Sequence, residues 1–157
     1  MSRETKKDLV AQVIHLARAH QAANDAFDEV AYQKLGINRT DGRCLDIVEN
    51  HGPMTAGRLA ELSGLTTAAV TAVLDRLERA GYARRVRDAN DRRHVIVELT
   101  PLMAERGGKI WGPLGKDAVT DIGRMSTAEL RLVMEFFRRG RAVNERHVER
   151  VRNLSFD

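Results

Sequence analysis

Cysteine is nearly absent from this chain. Cys44 stands alone among 157 residues, which excludes an intrachain disulfide and fits a reducing compartment. Continuous apolar sequence is missing as well. No span approaches the ~18 residues that a membrane helix needs, and the opening stretch MSRETKKDLVAQVIHLARAH has no uninterrupted apolar core of the signal-peptide kind. A soluble cytoplasmic protein with no membrane partner is therefore expected. No internal repeat or low-complexity tract appears. The five histidines, His15, His20, His51, His94 and His147, are scattered without an H-x-x-x-H pair, and the spacing of His15 and His20 matches one helix face poorly. No Ser/His/Asp or Cys/His grouping and no paired-carboxylate motif stands out. Gly107-Gly108 lies inside a helical pattern rather than after a strand, so it is no phosphate loop. The chain reads as no enzyme, with neither metal nor cofactor.

What the chain does have is arginine. Net charge is only +4, but arginine supplies 21 of the 26 basic residues, and seven arginines fall between Arg76 and Arg93. A local basic patch is the electrostatic footprint of nucleic-acid binding. The hydrophobic content of 43% suffices for a core. By length the chain is one domain, or one small domain with an association element.

The stretch from Leu65 to Thr100 organises the rest. Thr66 can cap a helix by accepting from an otherwise orphan N–H one turn in. Val70, Val73, Leu74 and Leu77 then recur at helical spacing as one apolar stripe. Gly81 sits where a left-handed residue is wanted just past the helix end. Ala83–Arg87 and Val95–Leu99 have strand-like content, with turn chemistry at Ala89-Asn90-Asp91. Thr100-Pro101 suits the start of a further helix, since proline in the first turn misses no N–H. With Val70 and Leu74 inward, a rotation of about 100° per residue sends Thr67, Ala68, Thr71, Ala72 and Arg76 outward or to the flanks. That face is small and hydroxylated near its N-terminus. The ribbon carries Arg84, Arg85 and Arg87 on one arm and Arg92, Arg93 and His94 at the start of the other. Asp91, two residues before Arg93, is placed to fix that guanidinium's direction, and arginine suits forked recognition of phosphate and groove acceptors. Taken alone, a solvated basic hairpin beside an ordinary amphipathic helix explains the same residues.

The order of elements favours the functional alternative. Two shorter helical patterns precede this stretch. One opens at Thr40 as its cap and buries Cys44, Leu45, Ile47 and Val48. The other opens at Thr55 and buries Leu59, Ala60 and Leu62, and Ser63-Gly64 turns the chain into the third helix. Met54 fits a brief strand paired with the ribbon. Helix, helix, helix and β-ribbon make a winged helix-turn-helix, whose last helix enters the major groove. The residues also resemble the multiple-antibiotic-resistance regulators, the MarR family. The resemblance runs through Gly52-Pro53, Leu59-Ala60, Leu65-Thr66, Val70-Thr71, Asp75-Arg76-Leu77-Glu78 and Gly81. It ends on the wing pattern D-x-R-x-x-x-V-x-L-T, present as Asp91, Arg93, Val97, Leu99 and Thr100.

Outside the winged region the chain reads as helix. From about Lys6 to Leu35 the apolar residues Leu9, Val13, Leu16, Ala17, Phe27, Val30, Ala31 and Leu35 fit one helix with no proline or glycine before Gly36. Roughly thirty residues make about 45 Å, too long for one three-helix core to cover. The resemblance implies that this helix joins a dimer; lying across its own domain is the other reading. Beyond the wing, Gly107, Gly108, Gly112, Pro113 and Gly115 punctuate a helical stretch, and Pro113 predicts a kink or break near Trp111-Gly112. Ser126 and Glu129 form a capping box for a last helix, with Leu130, Val133, Met134 and Phe137 as its stripe and Val143, His147, Val151 and Leu154 continuing it past Gly140.

The expected fold is therefore mainly α with a small β-wing. Residues 37–100 form the winged helix-turn-helix DNA-binding region, and 1–36 with 101–157 form a helical dimerisation layer. The expected function is a sequence-specific double-stranded DNA-binding transcriptional regulator, read as a repressor, acting as a homodimer on a palindromic operator. Thr66, Thr67 and Thr71 would contact phosphates or base edges, with Arg76 anchored on the backbone. Arg93, oriented by Asp91, would enter the minor groove, supported by Arg92 on phosphate. The resemblance further implies a small-molecule effector pocket between the association helices and the DNA-binding lobe. His15, Arg18 and Trp111 are the polar or aromatic residues in that general region, and each reads better as packing or surface than as a ligand contact. Redox sensing at Cys44 and zinc sensing occur in some relatives, but Cys44 lies on an apolar stripe and reads better as a buried structural thiol. A winged-helix module for protein contacts is the remaining alternative.

Overall fold

The computed structural model describes residues 4–89, 91 and 93–156. Six helices and three strands follow in the order α1 (Lys6–Leu35), α2 (Arg39–His51), β1 (Met54–Thr55), α3 (Ala56–Ser63), α4 (Thr67–Arg79), β2 (Ala83–Arg87), β3 (Val95–Leu99), α5 (Pro101–Ile122) and α6 (Thr127–Arg152). The chain divides into two compact units, Met1–Ile110 and Trp111–Asp157.

In the first unit, a capping box closes the start of α1: Asp8 N–H donates to Thr5 Oγ1 at 3.3 Å, and Thr5 N–H donates to Asp8 Oδ2 at 2.9 Å. Gly36 ends the helix at φ 70°, a left-handed conformation that glycine adopts without steric cost. Of thirty residues only Ala31, Tyr32 and Leu35 are buried, while Leu9, Val10, Val13, Ile14 and Leu16 remain exposed. Helix α2 starts two residues earlier than Thr40 as a cap would require. Its N-cap is Asn38, whose side-chain oxygen accepts from Asp41 N–H at 2.9 Å and satisfies an orphan donor before Thr40 is reached. Tyr32 lies over Gly42 so closely that an added Cβ would stand 2.2 Å from its ring. The Tyr32 hydroxyl donates to Asp46 Oδ2 at 3.2 Å.

Helices α3 and α4 open with the threonine caps read from sequence. Arg58 N–H donates to Thr55 Oγ1 and Ala69 N–H donates to Thr66 Oγ1, both at 3.2 Å. The core of this unit gathers Cys44, Leu45, Val48, Leu59, Val70, Val73, Leu74, Leu77 and Val97, each under 5% exposed. Ile47, Ala60 and Leu62 are only half-buried, at its margin. The sheet is antiparallel in the order β1-β3-β2, with Met54 opposite Val97 and Arg85 also opposite Val97 from the other side. Tyr82 joins the parts. Its buried hydroxyl donates to the Leu35 carbonyl at 2.9 Å and accepts from Arg106 Nη1 at 2.7 Å. At the start of α5, Thr100 Oγ1 accepts from Met103 N–H and donates to the Gly81 carbonyl.

Of the kink or break expected at Pro113, the break does not occur: α5 is one continuous helix through it. A proline removes one N–H bond, and the bonds of the neighbouring turns keep the segment helical. In the second unit, Ser126 and Glu129 form the capping box of α6, which runs on through Gly140 to Arg152 and buries none of its residues in the single chain.

Candidate nucleic-acid interface

Helix α4 presents its small, hydroxylated face to solvent because its apolar stripe is spent on the core. Val70, Val73, Leu74 and Leu77 are at most 1% exposed, whereas Thr66, Thr67, Ala68, Thr71 and Ala72 are all exposed. Thr66 uses its hydroxyl lone pair on the helix start, and Thr71 Oγ1 donates to the Thr67 carbonyl at 3.0 Å. Both hydroxyls keep further hydrogen-bonding capacity toward solvent.

At the wing tip Asp91 grips Arg93. The guanidinium donates to both carboxylate oxygens at 3.0 Å, and Arg93 N–H donates to Oδ1 at 3.1 Å. These bonds hold the Asp91 carboxyl below the usual carboxylate range. The Arg93 side chain is 89% exposed, so the carboxylate aims a guanidinium into solvent rather than burying it. Arg92 lies outside the described residues.

Arg76 is engaged elsewhere. Its Nε stands 3.1 Å from both oxygens of Asp41 and its Nη2 stands 2.6 Å from Oδ1. Asp41 is buried on α2, and hydrogen bonding to it raises the Arg76 pKa further. The Arg76 side chain keeps 39% of its surface exposed. Sequence reasoning missed Asp41, although its position carried a signal. It shares the inward stripe of Cys44, Leu45 and Val48 at spacings of three, four and seven, where a carboxylate needs a buried partner. Two further ribbon arginines are also paired. Arg84 meets Glu98 across the strands at 2.6 Å, and Arg85 meets Asp75 at 2.9 Å and Glu78. The structure therefore groups Thr66, Thr67 and Thr71 on one face and Asp91 with Arg93 at the tip, while Arg76 forms a strut to α2.

An apolar cavity of about 450 Å³ lies within the first unit, lined by Phe27, Val30, Ala31, Gln33, Lys34 and Ile110. None of His15, Arg18 or Trp111 lines it. Cys44 is 1% exposed, and burial pushes its thiol pKa up. No group of three or more metal-ligating side chains occurs among the described residues. No helix among them is long and apolar enough to cross a membrane.

The MarR family model matches residues 37–95, the span from the start of α2 to the beginning of β3. An uncharacterized helix-turn-helix-type transcriptional regulator of Bacillus subtilis, YcgE, is 34% identical over 153 residues, covering 96% of this chain and 98% of that protein. The chain belongs to the MarR family. It is a DNA-binding transcriptional regulator and not an enzyme. Solved structures share the fold of this MarR-family chain. A MarR family protein from Bacillus stearothermophilus superimposes with a TM-score of 0.60 at 22% identity, covering 94% of this chain and 99% of that one. NadR in complex with 4-hydroxyphenylacetate gives 0.57 at 19% identity, covering 88% and 94%.

Proposed function

We propose that this MarR-family regulator works in the cytoplasm as a homodimeric repressor on a palindromic operator. Each α4 enters a major groove and each wing reaches the flanking minor groove, with half-sites about one helical turn, ~34 Å, apart. Thr66, Thr67 and Thr71 contact phosphates or base edges. Arg93, aimed by Asp91, enters the minor groove, Arg92 supports it on phosphate, and Arg76 adds a backbone contact with whatever of its fork Asp41 leaves open. The observation that carries this reading is the exposed hydroxylated face of α4 combined with the bidentate Asp91–Arg93 tip. Residues 1–36 and 101–157 form the dimerisation layer, supported by the apolar residues that α1 and α6 leave exposed in one chain.

A small apolar or aromatic effector releases the operator by changing the spacing of the two reading heads. The 450 Å³ cavity is large enough for such a molecule. The ligand shifts the equilibrium only by its differential affinity for the two spacings. The buried thiol of Cys44 gives no specific support to oxidant sensing. The deciding measurement is fluorescence anisotropy with DNA from around the protein's own gene, across a salt series. Arg93→Ala should weaken binding and reduce the log–log salt slope by ~0.9. An unchanged affinity and slope would remove Arg93 from the interface.

A further inference from the structure

One arginine of the basic ribbon is held by several groups of helix α4. Arg85 lies on β2, which is an outer strand of the sheet. The backbone N–H of Arg85 donates to Glu78 Oε1 at 2.8 Å. Its guanidinium donates to Glu78 Oε2 through Nη1 and to Asp75 Oδ1 through Nη2 at 2.9 Å, and Nη2 also reaches the Thr71 carbonyl at 3.5 Å. Thr71, Asp75 and Glu78 succeed one another at spacings of four and three, so they form one stripe along α4. The guanidinium fork is held by that stripe, and the side chain is 29% exposed. Its charge is cancelled by two carboxylates, so it has little left to offer a phosphate. Arg93 differs: paired with Asp91, its side chain is 89% exposed.

We infer that Arg85 is a positioning residue that fastens the wing to the recognition helix, so that major-groove and minor-groove contacts act as one rigid reading unit. The inference rests on the DNA-binding reading above. Strand β2 leads into the wing turn and β3 leads out of it, paired along five registered positions from Ala83–Leu99 to Arg87–Val95. A clamp at the middle position, Arg85 opposite Val97, therefore fixes the base of the ribbon that carries Arg93. Lysine could supply charge at this place, but only arginine has a planar fork that can hold two carboxylates at once.

A phosphate contact and a clamp predict opposite results for the helix-side partner. Glu78→Gln removes a negative charge near the DNA and leaves Arg85 in place. If Arg85 touched phosphate, this change would leave binding unchanged or tighten it. If Arg85 is a clamp, Glu78→Gln should weaken binding about tenfold, as Arg85→Gln does, because both break the same joint. The experiment measures anisotropy on a fragment selected from a random DNA pool with the unaltered protein, using Arg85→Gln, Glu78→Gln, Arg93→Ala and the Arg85→Gln/Arg93→Ala double variant. Arg85→Gln and Arg93→Ala should each cost about tenfold, and the double variant also about tenfold, because an unclamped wing has already lost the Arg93 contact. A hundredfold loss in the double variant, or unchanged or tighter binding by Glu78→Gln, overturns the inference and puts Arg85 on the DNA. Unchanged binding by Arg85→Gln overturns it as well. Retained melting transitions confirm that the variants are folded. Where Arg85→Gln fails to fold, the charge exchange Arg85→Glu/Glu78→Arg takes its place, with recovered affinity expected and none recovered counting against the clamp. The absence of any salt-sensitive binding by the unaltered protein would instead refute the DNA-binding reading itself.

Discussion

The joint between α1 and α2 makes a quantitative test, because at Gly42 two effects of known size oppose each other. Replacing a helical glycine by alanine normally gains ~1 kcal/mol through helix propensity. At Gly42 the new methyl would stand 2.2 Å from Tyr32 Cε1 and 2.4 Å from Cζ, well over 1 Å inside an ordinary carbon–carbon contact of ~3.5–4.0 Å. The ring has to withdraw. It is 6% exposed, and its hydroxyl is tied to Asp46 at 3.2 Å, so withdrawal opens the joint and loosens that bond. Overpacking costs ~1–3 kcal/mol, and the lost bond argues for the upper end. After the propensity gain, Gly42→Ala should be destabilised by about 2 kcal/mol, a fall in Tm of about 4–8 °C for a chain of this size. Gly57→Ala is the control. Its Cβ would meet only Thr55 Oγ1 at 4.0 Å, so it should gain up to ~1 kcal/mol. Urea unfolding at fixed protein concentration measures both. A Gly42→Ala protein as stable as the unaltered one would mean that Tyr32 is not fixed over Gly42, and the tight α1–α2 joint would be wrong.

Three further outcomes are expected. Arg76→Ala should destabilise more than Asp41→Ala, roughly 3–5 against 1–2 kcal/mol, because the first strands a carboxylate whose side chain is 3% exposed and the second frees a guanidinium that water can reach; equal losses in urea melts would contradict the strut. Removing α1 before Phe27 should abolish dimers in sedimentation, and a stable dimer after truncation would refute the association role of that helix. At Asp46, partial burial raises the carboxyl pKa, with the Asp28 and Glu49 charges adding to it against the Tyr32 hydrogen bond. A raised carboxyl contributes stability below its unfolded value near 3.9 and loses it as pH climbs through the folded value. Asp46→Asn should therefore raise Tm at pH 7, with the gain fading as pH approaches 4, and a gain that grows with acidification would reverse the assignment.

The helical frame was legible in the sequence wherever local chemistry decided it. Thr55, Thr66 and the Ser126–Glu129 box cap their helices because each hydroxyl meets an orphan N–H three residues on, a relation fixed by spacing alone. The strands of the wing were legible from their composition, while Asn90 of the turn read between them lies outside the described residues. Two features were not. The cap of α2 lay with Asn38 because two capping residues stood within three positions, and propensity ranks them closely. Pro113 signalled a kink or a break, and the break does not occur, because a local penalty does not end a helix when the turns on both sides continue it. At the site, Asp91 and Arg93 sit two residues apart, so their pairing is a local matter. Asp41 with Arg76, and Arg85 with Asp75 and Glu78, join residues 35, 10 and 7 apart. Sequence counts their charges but does not say which are spent on one another. A basic ribbon that looked like a row of phosphate contacts is in large part a set of internal braces.

Helix α6 has a thermodynamic consequence. Its 26 residues bury none of their number within one chain, whereas most helical stability in proteins comes from packing an apolar face. Its order is then coupled to whatever covers it. If a second copy is the cover, folding of α6 and association are one equilibrium, and the midpoint of melting climbs with protein concentration. Dilution would then do more than separate subunits: it would melt the region that joins them.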